Sequence, residues 1–360
     1  MRNRFHALCP YFAMFPEAFA EHWIAELTEE HDVVLDPFCG RGTAPFQALL
    51  MDRRSVAGDI NPVAYVLTRA KLRTPALPTL LSRLKRLRSE YYAHDGLRLP
   101  PTVFFQHAYQ QETFSQISFL KDALRWKSSD TDATIAALVL GSLHGEVGRS
   151  KNYLSNQMPR TISTKPAYSV RFWHERGYTA PQRDVFEVVE RQARYRYASE
   201  RPRNKGTVHL ADMRSLPLKQ LEPARLLITS PPYLDTTSFE EDQWLRLWFL
   251  GGPAEPHRGR LSRDDRLYTR DGYWDMISDL WRVAGSLVAE GGHVVIRIAG
   301  KGLTNDDLAM GLVGTSVCSG RSVQLVSSSV SDIVRRQTDA FRPGSSGLRT
   351  EIDCHFKFSS

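Results

Sequence analysis

Residues 32 to 43, "DVVLDPFCGRGT", decide how the rest of the chain is read. Val33 to Leu35 form an apolar run too short for a helix and suited to a buried strand. Asp36 ends that strand, and Gly40 and Gly42 open a tight loop in which the backbone can come close to a ligand. "APFQALLMD" then reads as a helix, and "RSVAGD" reads as a second strand that ends at Asp59. "NPVAYVLTRAKLR" starts another helix, with Pro62 in its first turn, where the missing N–H costs nothing. Strand, glycine loop, helix, strand and helix make the opening of a doubly wound α/β sheet.

Outward from this core, "PEAFAEHWIAEL" (16–27) places Phe19, Trp23, Ile24 and Leu27 at helical spacing. The α/β alternation pauses between about 75 and 205, where "TLLSRLKRLRSEYY" and "TDATIAALVLGSL" carry helical patterns and a polar, basic tract follows. Alternation resumes with "TVHLAD", ending at Asp212, and with "ARLLITS". That second strand stops at Thr229 because Pro231 and Pro232 have no N–H to donate to a ladder. Ser230 to Tyr233 therefore form a stiff extended loop at a strand's carboxyl end. "FEEDQWLRLWFLGG" and "GYWDMISDLWRVAGSLVAEGG" read as helices, the second leading into the strand "HVVIRI". "SVQLVSSSV" and "EIDCHFKF" alternate as two late strands, joined most simply as a hairpin across an arginine-rich loop.

The chain has 360 residues, 42% of them hydrophobic, which is ordinary for a globular protein. Its formal charge is +7, from 47 lysines and arginines against 40 acids. Residues 149–205 alone hold 13 basic and 5 acidic residues, so they account for the whole excess. Such a segment suits a polyanion partner. Cys9, Cys39, Cys318 and Cys354 show no metal-ligand or CxxC spacing, so no metal site is expected, and a reducing cytoplasm suits them best. Pro10, Pro16 and Glu17 interrupt any signal-like apolar core near the amino terminus, and no window reads as a membrane span.

Three acids stand at three strand ends, Asp36, Asp59 and Asp212, where open α/β sheets bind ligands. Singly, a glycine loop is often just a turn and a strand-end aspartate just a helix cap; their succession in order is the signal. Asp59 lies 17 residues beyond Gly42, near the distance at which an acid on a second strand takes a ribose hydroxyl pair. Neither G-x-G-x-x-G nor a phosphate-binding G-x-x-x-x-G-K-[ST] is present. A nucleoside with a short cationic tail fits these acids better than a pyrophosphate does.

"LDPFCGRGT", "GDINPVA" and "TSPPY" resemble the signature of S-adenosylmethionine-dependent DNA amino-methyltransferases, over most of 5–75 and 205–300. Ser-Pro-Pro-Tyr, in place of Asp- or Asn-Pro-Pro-Tyr, resembles the cytosine-N4 members. The resemblance implies a doubly wound, mostly parallel seven-stranded, Rossmann-like methyltransferase sheet with a largely helical inserted region that reads the target. It divides the chain into a cofactor-binding part (1–75), the insertion (76–205) and a catalytic part (206–360). It implies that Phe38, Gly40, Gly42 and Thr43 embrace the methionine portion of the cofactor, that Asp59 holds the ribose, and that Asp212 and Met213 border the adenine. Asp36, Pro37, Ile60 and Asn61 complete that set, and Phe15 and Pro16 match loosely a motif that closes over the cofactor. The insertion's place, between the second and third strands, departs from the family members that carry it at a chain end.

Cytosine N4 is a poor nucleophile because its lone pair is delocalised into the ring. By the resemblance, Ser230 and the Pro231 carbonyl accept its two N–H bonds, Pro232 keeps the loop rigid, and Tyr233 stacks on a base flipped out of the duplex. "CPY" at Cys9 reverses the Pro-Cys order of a carbon-5 nucleophile, so direct transfer is expected. Lys151, Asn152, Arg160 and Lys165, with Arg258 and Arg260 in a second basic loop, are the candidate contacts to double-stranded DNA bearing a short specific site. The expected setting is a prokaryotic cytoplasm, as monomer or homodimer, with a cognate restriction endonuclease among the partners. Rival readings are DNA adenine-N6 methylation, RNA guanine-N2 methylation and an inactive DNA-binding subunit. RNA enzymes with a similar glycine loop typically carry a sizeable RNA-binding domain before it, and only 35 residues precede Asp36 here.

Overall fold

A computed structural model describes residues 2–11, 15–93, 96–145, 151–158, 165–234, 239–256, 269–333 and 350–359. Seven strands form one sheet in the order β3-β2-β1-β4-β5-β7-β6. Here β1 is Val33–Asp36, β2 Arg54–Asp59, β3 Thr207–Leu210, β4 Ala224–Thr229, β5 Val288–Ile298, β6 Val323–Asp332 and β7 Thr350–Phe358. The first five are parallel, while β7 runs antiparallel between β5 and β6. This is the mostly parallel, Rossmann-like seven-stranded sheet expected from the sequence. Strand order reverses between β1 and β4, so the ends of those two strands mark the ligand-binding edge.

Period-two burial explains the two layers. Val34, Leu226, Ile228 and Val295 face one side and pack against Phe19, Ala20 and Ile24 of α1 (Glu17–Leu27) and Ala44 and Ala48 of α2 (Thr43–Leu50). Val33, Leu35, Leu227 and Ile296 face the other, against Tyr273, Ile277, Leu280 and Trp281 of α12 (Arg270–Leu287). A strand buried on both faces needs no polar alternation, which is why "VVL" is apolar throughout. The helix α3 (Pro62–Leu72) follows β2, and α13 (Asn305–Ser316) follows β5.

Two boundaries differ from the sequence reading. β3 ends at Leu210 rather than Asp212, because the Asp212 carboxylate accepts from the Arg214 N–H (2.9 Å) and caps a short 3-10 turn, Met213–Ser215. β5 begins at Val288, in a stretch that reads as the end of a helix. Its register with β4 shifts between Ala224 and Leu226, and Gly291, at φ 63°, takes the left-handed turn this requires.

By contacts the chain divides into two units. The sheet and its helices form one (Phe12–Thr68, Pro202–Thr237, Leu261–Ser360). The other (Met1–Tyr11, Arg69–Arg201, Ser238–Arg260) is helical, so the amino-terminal residues pack with it rather than with the sheet. It contains α4 (Leu77–Ala93), α5 (Val103–Ala108), α6 (Gln111–Ala123), α7 (Asp130–Leu140), α8 (Pro166–Glu175), α9 (Val185–Tyr197), α10 (Phe239–Asp242) and α11 (Trp244–Phe249). Its core is aromatic: the ring centroids of Phe105 and Trp248 lie 4.4 Å apart, and those of Phe104 and Trp244 5.0 Å apart. α8 lies inside the tract that reads as merely polar and basic; Pro166 starts it, and Phe172 and Trp173 are its buried side. Among the described residues no helix is long and apolar enough to cross a membrane.

Candidate active site

β1 and β4 deliver Asp36 and Thr229 to the switch point side by side. The Thr229 hydroxyl donates to Asp36 Oδ1 at 2.7 Å, and the Phe38 N–H donates to the same oxygen at 3.2 Å. Asp59, at the end of β2, ties the glycine loop down: Gly40 N–H donates to its Oδ2 (2.9 Å) and Asn61 N–H to its Oδ1 (2.8 Å). Gly40 and Gly42 have φ of 49° and 74°. A carboxylate offers about four acceptor positions, so Asp59 keeps lone pairs for a ligand after fixing the loop.

Neither Asp36 nor Asp59 has a cationic partner among the described residues. Asp36 is pushed up to about 7, first by burial and further by the nearby Asp59, against the opposing hydrogen bonds from Thr229 and Phe38. Burial likewise pushes Asp59 up to about 6. Two carboxyls raised above their ordinary range with no cation beside them among the described residues are costly in a fold.

The sign of the pH effect follows. In the window from the ordinary carboxylate range up to these raised values, the folded protein holds protons that the unfolded chain has released, so stability falls as pH rises. Asp36→Asn is therefore expected to raise the thermal midpoint more at about pH 8 than at about pH 5. Affinity for a cationic ligand should run the opposite way and weaken as pH falls through the same window. Paired melting and calorimetric titrations check both slopes, and a stability that rises with pH there would refute the assignment.

Several supports were missed by the sequence reading. Thr68, in α3, donates to Gly40 O (3.1 Å) and lies 3.5 Å from Cys39 Sγ. Arg41, almost fully buried, reaches Thr43 Oγ1 (3.3 Å) and Glu17 Oε1 of α1 (3.3 Å). Their only sequence signal is position within or beside the glycine loop and its helices.

The other cofactor candidates are placed as follows. Pro37 is buried and Phe38 half-buried against the α12 side of the sheet. Phe15 is buried, with its ring 5.0 Å from that of Phe19, and Pro16 is exposed just before α1. Ile60 is exposed, while Asn61 caps α3 by accepting from Val63 N–H at 2.8 Å. Met213 packs within the α12-side core. Asp212 is held by the fork of Arg214, with contacts of 2.9 and 2.8 Å.

The Ser-Pro-Pro-Tyr loop is anchored at both ends. Thr229 is bound to Asp36, and Leu234 bridges to Gly300 beyond β5. Ser230 is half-buried, Pro231 buried and Pro232 exposed. The Tyr233 ring is only 9% exposed, and its hydroxyl donates to Glu351 Oε1 at 2.8 Å.

Of the candidate nucleic-acid contacts, Lys151 is exposed and Lys165 is 67% exposed at the start of α8, 4.0 Å from Glu241. Asn152 Oδ1 accepts from Arg191 Nε at 2.7 Å. Arg160, Arg258 and Arg260 lie outside the described residues, as does the arginine-rich loop at 335–349.

A family model for DNA methylases, the N6/N4 methyltransferases, matches residues 2–68, well short of half the chain. No curated protein sequence matches significantly. Solved structures with a similar chain path include TrmN from Thermus thermophilus (11% identity, TM-score 0.40), aligned over 99% of this chain but 52% of that one. This chain thus spans about half the length of that protein. They also include a putative rRNA methylase from Clostridium thermocellum (10% identity, 96% and 100% of the two chains, TM-score 0.36). A third is the rRNA methyltransferase AviRa from Streptomyces viridochromogenes (10% identity, 96% and 86%, TM-score 0.36). Likenesses at this level bear on neither substrate nor target atom. The strand order, with β7 antiparallel between β5 and β6, is that of the Rossmann-like methyltransferase sheet.

Proposed function

We propose that this chain transfers a methyl group from S-adenosylmethionine to N4 of a cytosine flipped out of double-stranded DNA. The observation that carries the reading is the pair of acids, buried Asp36 and half-buried Asp59, beside the left-handed glycine loop, with Asp36 bonded to Thr229, the residue before the rigid Ser-Pro-Pro-Tyr loop. When bound, the cofactor supplies an electrophilic methyl on a sulfonium cation. The chain's own work is to hold that cation against carboxylates, to offer Asp59 lone pairs to the ribose hydroxyls, and to present Ser230 and the Pro231 carbonyl as fixed acceptors for an amine. Fixed acceptors need no reorganisation as the nitrogen pyramidalises.

Nucleoside mass spectrometry of treated DNA tests it. N4-methylcytosine supports the reading. N6-methyladenine alone would overturn the cytosine assignment, and modification of structured RNA with none of DNA would overturn the polymer. Asp59→Ala is expected to weaken cofactor binding by about 1.5–3 kcal/mol, the worth of hydrogen bonds to a charged acceptor. Unchanged affinity in calorimetry would move the cofactor elsewhere.

DNA binding is assigned to the helical unit, whose surface mixes arginines with the exposed rings of Tyr168, Tyr178 and Tyr195. Arg171 lies 5.8 Å from the Tyr168 ring and Arg4 4.4 Å from that of Tyr195. Neutralising Arg160 and Lys165 together should lower the slope of log K against log salt by roughly two units if both meet phosphates. An unchanged slope would place the DNA path elsewhere.

A further inference from the structure

The reversed direction of β7 has a chemical result. Because β7 runs against β5, its first residues lie beside the carboxyl ends of the parallel strands. Glu351 and Asp353, two apart on β7, point to the same face and meet Arg297 of β5 there. The Arg297 guanidinium takes Asp353 in a bidentate pair, Nε to Oδ1 at 2.6 Å and Nη2 to Oδ2 at 2.7 Å. Its Nη1 lies 3.4 Å from Glu351 Oε2, and its carbon lies 4.0 Å from the centre of the Phe19 ring. The other Glu351 oxygen, Oε1, receives the Tyr233 hydroxyl at 2.8 Å. Ser230 Oγ lies 3.4 Å from that same hydroxyl, long for a hydroxyl pair and open to tightening when a substrate closes on the loop.

Donor and acceptor counting gives this chain one direction. A carboxylate paired with arginine only accepts. Tyr233 has a single hydroxyl proton and donates it to Glu351. Its oxygen then faces Ser230 as an acceptor, and the Ser230 proton points inward to it. What Ser230 presents outward is lone pairs. We propose that Glu351, clamped by Arg297, is a positioning residue that acts through Tyr233 to set the Ser230 hydroxyl as an acceptor, and so selects a base bearing an exocyclic amine at that point. The inference rests on the methyltransferase reading and deepens it. A pyrimidine with a carbonyl in place of the amine brings a second acceptor to Ser230 and is refused, whereas an amine brings an N–H.

Glu351→Gln is the informative change, because Arg297 claims the amide oxygen and leaves the amide N–H₂ facing Tyr233. The phenol is then an acceptor and the direction is reversed. The test is a double-mutant cycle on the full chain, with Ser230→Ala, Glu351→Gln, Tyr233→Phe and the two doubles containing Ser230→Ala, read by single-turnover methyl transfer and by KM for DNA. Glu351→Gln and Tyr233→Phe are each expected to slow transfer by roughly 10- to 100-fold with KM little changed, and to cost less than about twofold once Ser230 is alanine. Additive losses would show a merely structural role and overturn the proposal.

A second measurement needs no substrate. In protein labelled with [13Cζ]tyrosine, the resonance lost in Tyr233→Phe identifies Tyr233. It should shift in Glu351→Gln, and a resonance that stays put overturns the hydroxyl chain. If the wild-type chain methylates no base at all, the functional reading fails, and this resonance still decides whether the chain of hydroxyls exists.

Discussion

Replacing Gly42 with alanine is expected to destabilise the protein by about 2–4 kcal/mol and to abolish measurable cofactor binding. Two independent costs add. The residue sits at φ 74°, where an L side chain is strained by about 1–2 kcal/mol. A methyl group there would also meet Thr68, 2.6 Å from Oγ1 and 3.1 Å from its Cα. Contacts that short force Thr68 away, and Thr68 is the residue whose hydroxyl holds Gly40 O. The strain term is measured separately by Gly320→Ala, since Gly320 has φ 67° with nothing within 4 Å of the added carbon. Denaturant unfolding should show a clearly larger loss for Gly42→Ala than for Gly320→Ala. Thr68→Ala should restore part of the difference when combined with the first. Equal losses in the two single variants would mean that the loop has room to spare and that Thr68 is not its prop.

This comparison shows which part of the site was legible in the sequence. Gly40, Gly42, Asp36 and Asp59 stand next to strand ends, and their chemistry is local: a left-handed turn, a terminated ladder, a cap. Pro231 and Pro232 are equally local, since a residue without an N–H announces the end of a strand wherever it lies. The sheet followed from these because a short apolar run followed by a glycine loop and a helix has few ways to bury itself. The residues that were not legible act at a distance. Thr229 reaches Asp36 across 193 positions, and Tyr233 reaches Glu351 across 118. In "EIDCHFKF" a glutamate and an aspartate two apart look like the solvated face of an edge strand. Only the antiparallel placement of β7 between two other strands turns them inward to Arg297. Thr68 inside α3 is likewise silent, because threonine in a helix carries no mark of what its hydroxyl touches. The left-handed Gly291 at the start of β5 explains the one strand start misread as helix.

Ser230→Ala should lower the rate of methyl transfer by about 10²–10³-fold while leaving DNA affinity nearly unchanged, which is the scale observed when one preorganised partner of a transition state is removed. In the proposed reaction the hydroxyl accepts one hydrogen bond from the amine. That bond strengthens as the nitrogen loses conjugation with the ring and gains positive charge, so its worth is greater in the transition state than in the bound ground state. An interaction of that kind appears in kcat rather than in KM. The loop's double anchorage, Thr229 to Asp36 and Leu234 to Gly300, keeps the Pro231 carbonyl in place when the serine is shortened, so the variant isolates one acceptor rather than the loop. Ser230→Asp restores an acceptor of greater reach and full charge. In the structure that carboxylate would share Tyr233 with Glu351, and the phenol has one proton for two acceptors. The aspartate variant is therefore expected to recover only a small part of the lost rate, and to recover more of it when Glu351 is changed to glutamine, which can donate to the phenol oxygen. Single-turnover assays of the two single variants and the pair measure this directly. Full recovery by Ser230→Asp alone would show that Tyr233 and Glu351 place no demand on the residue at 230, and that its role is simply to offer an oxygen.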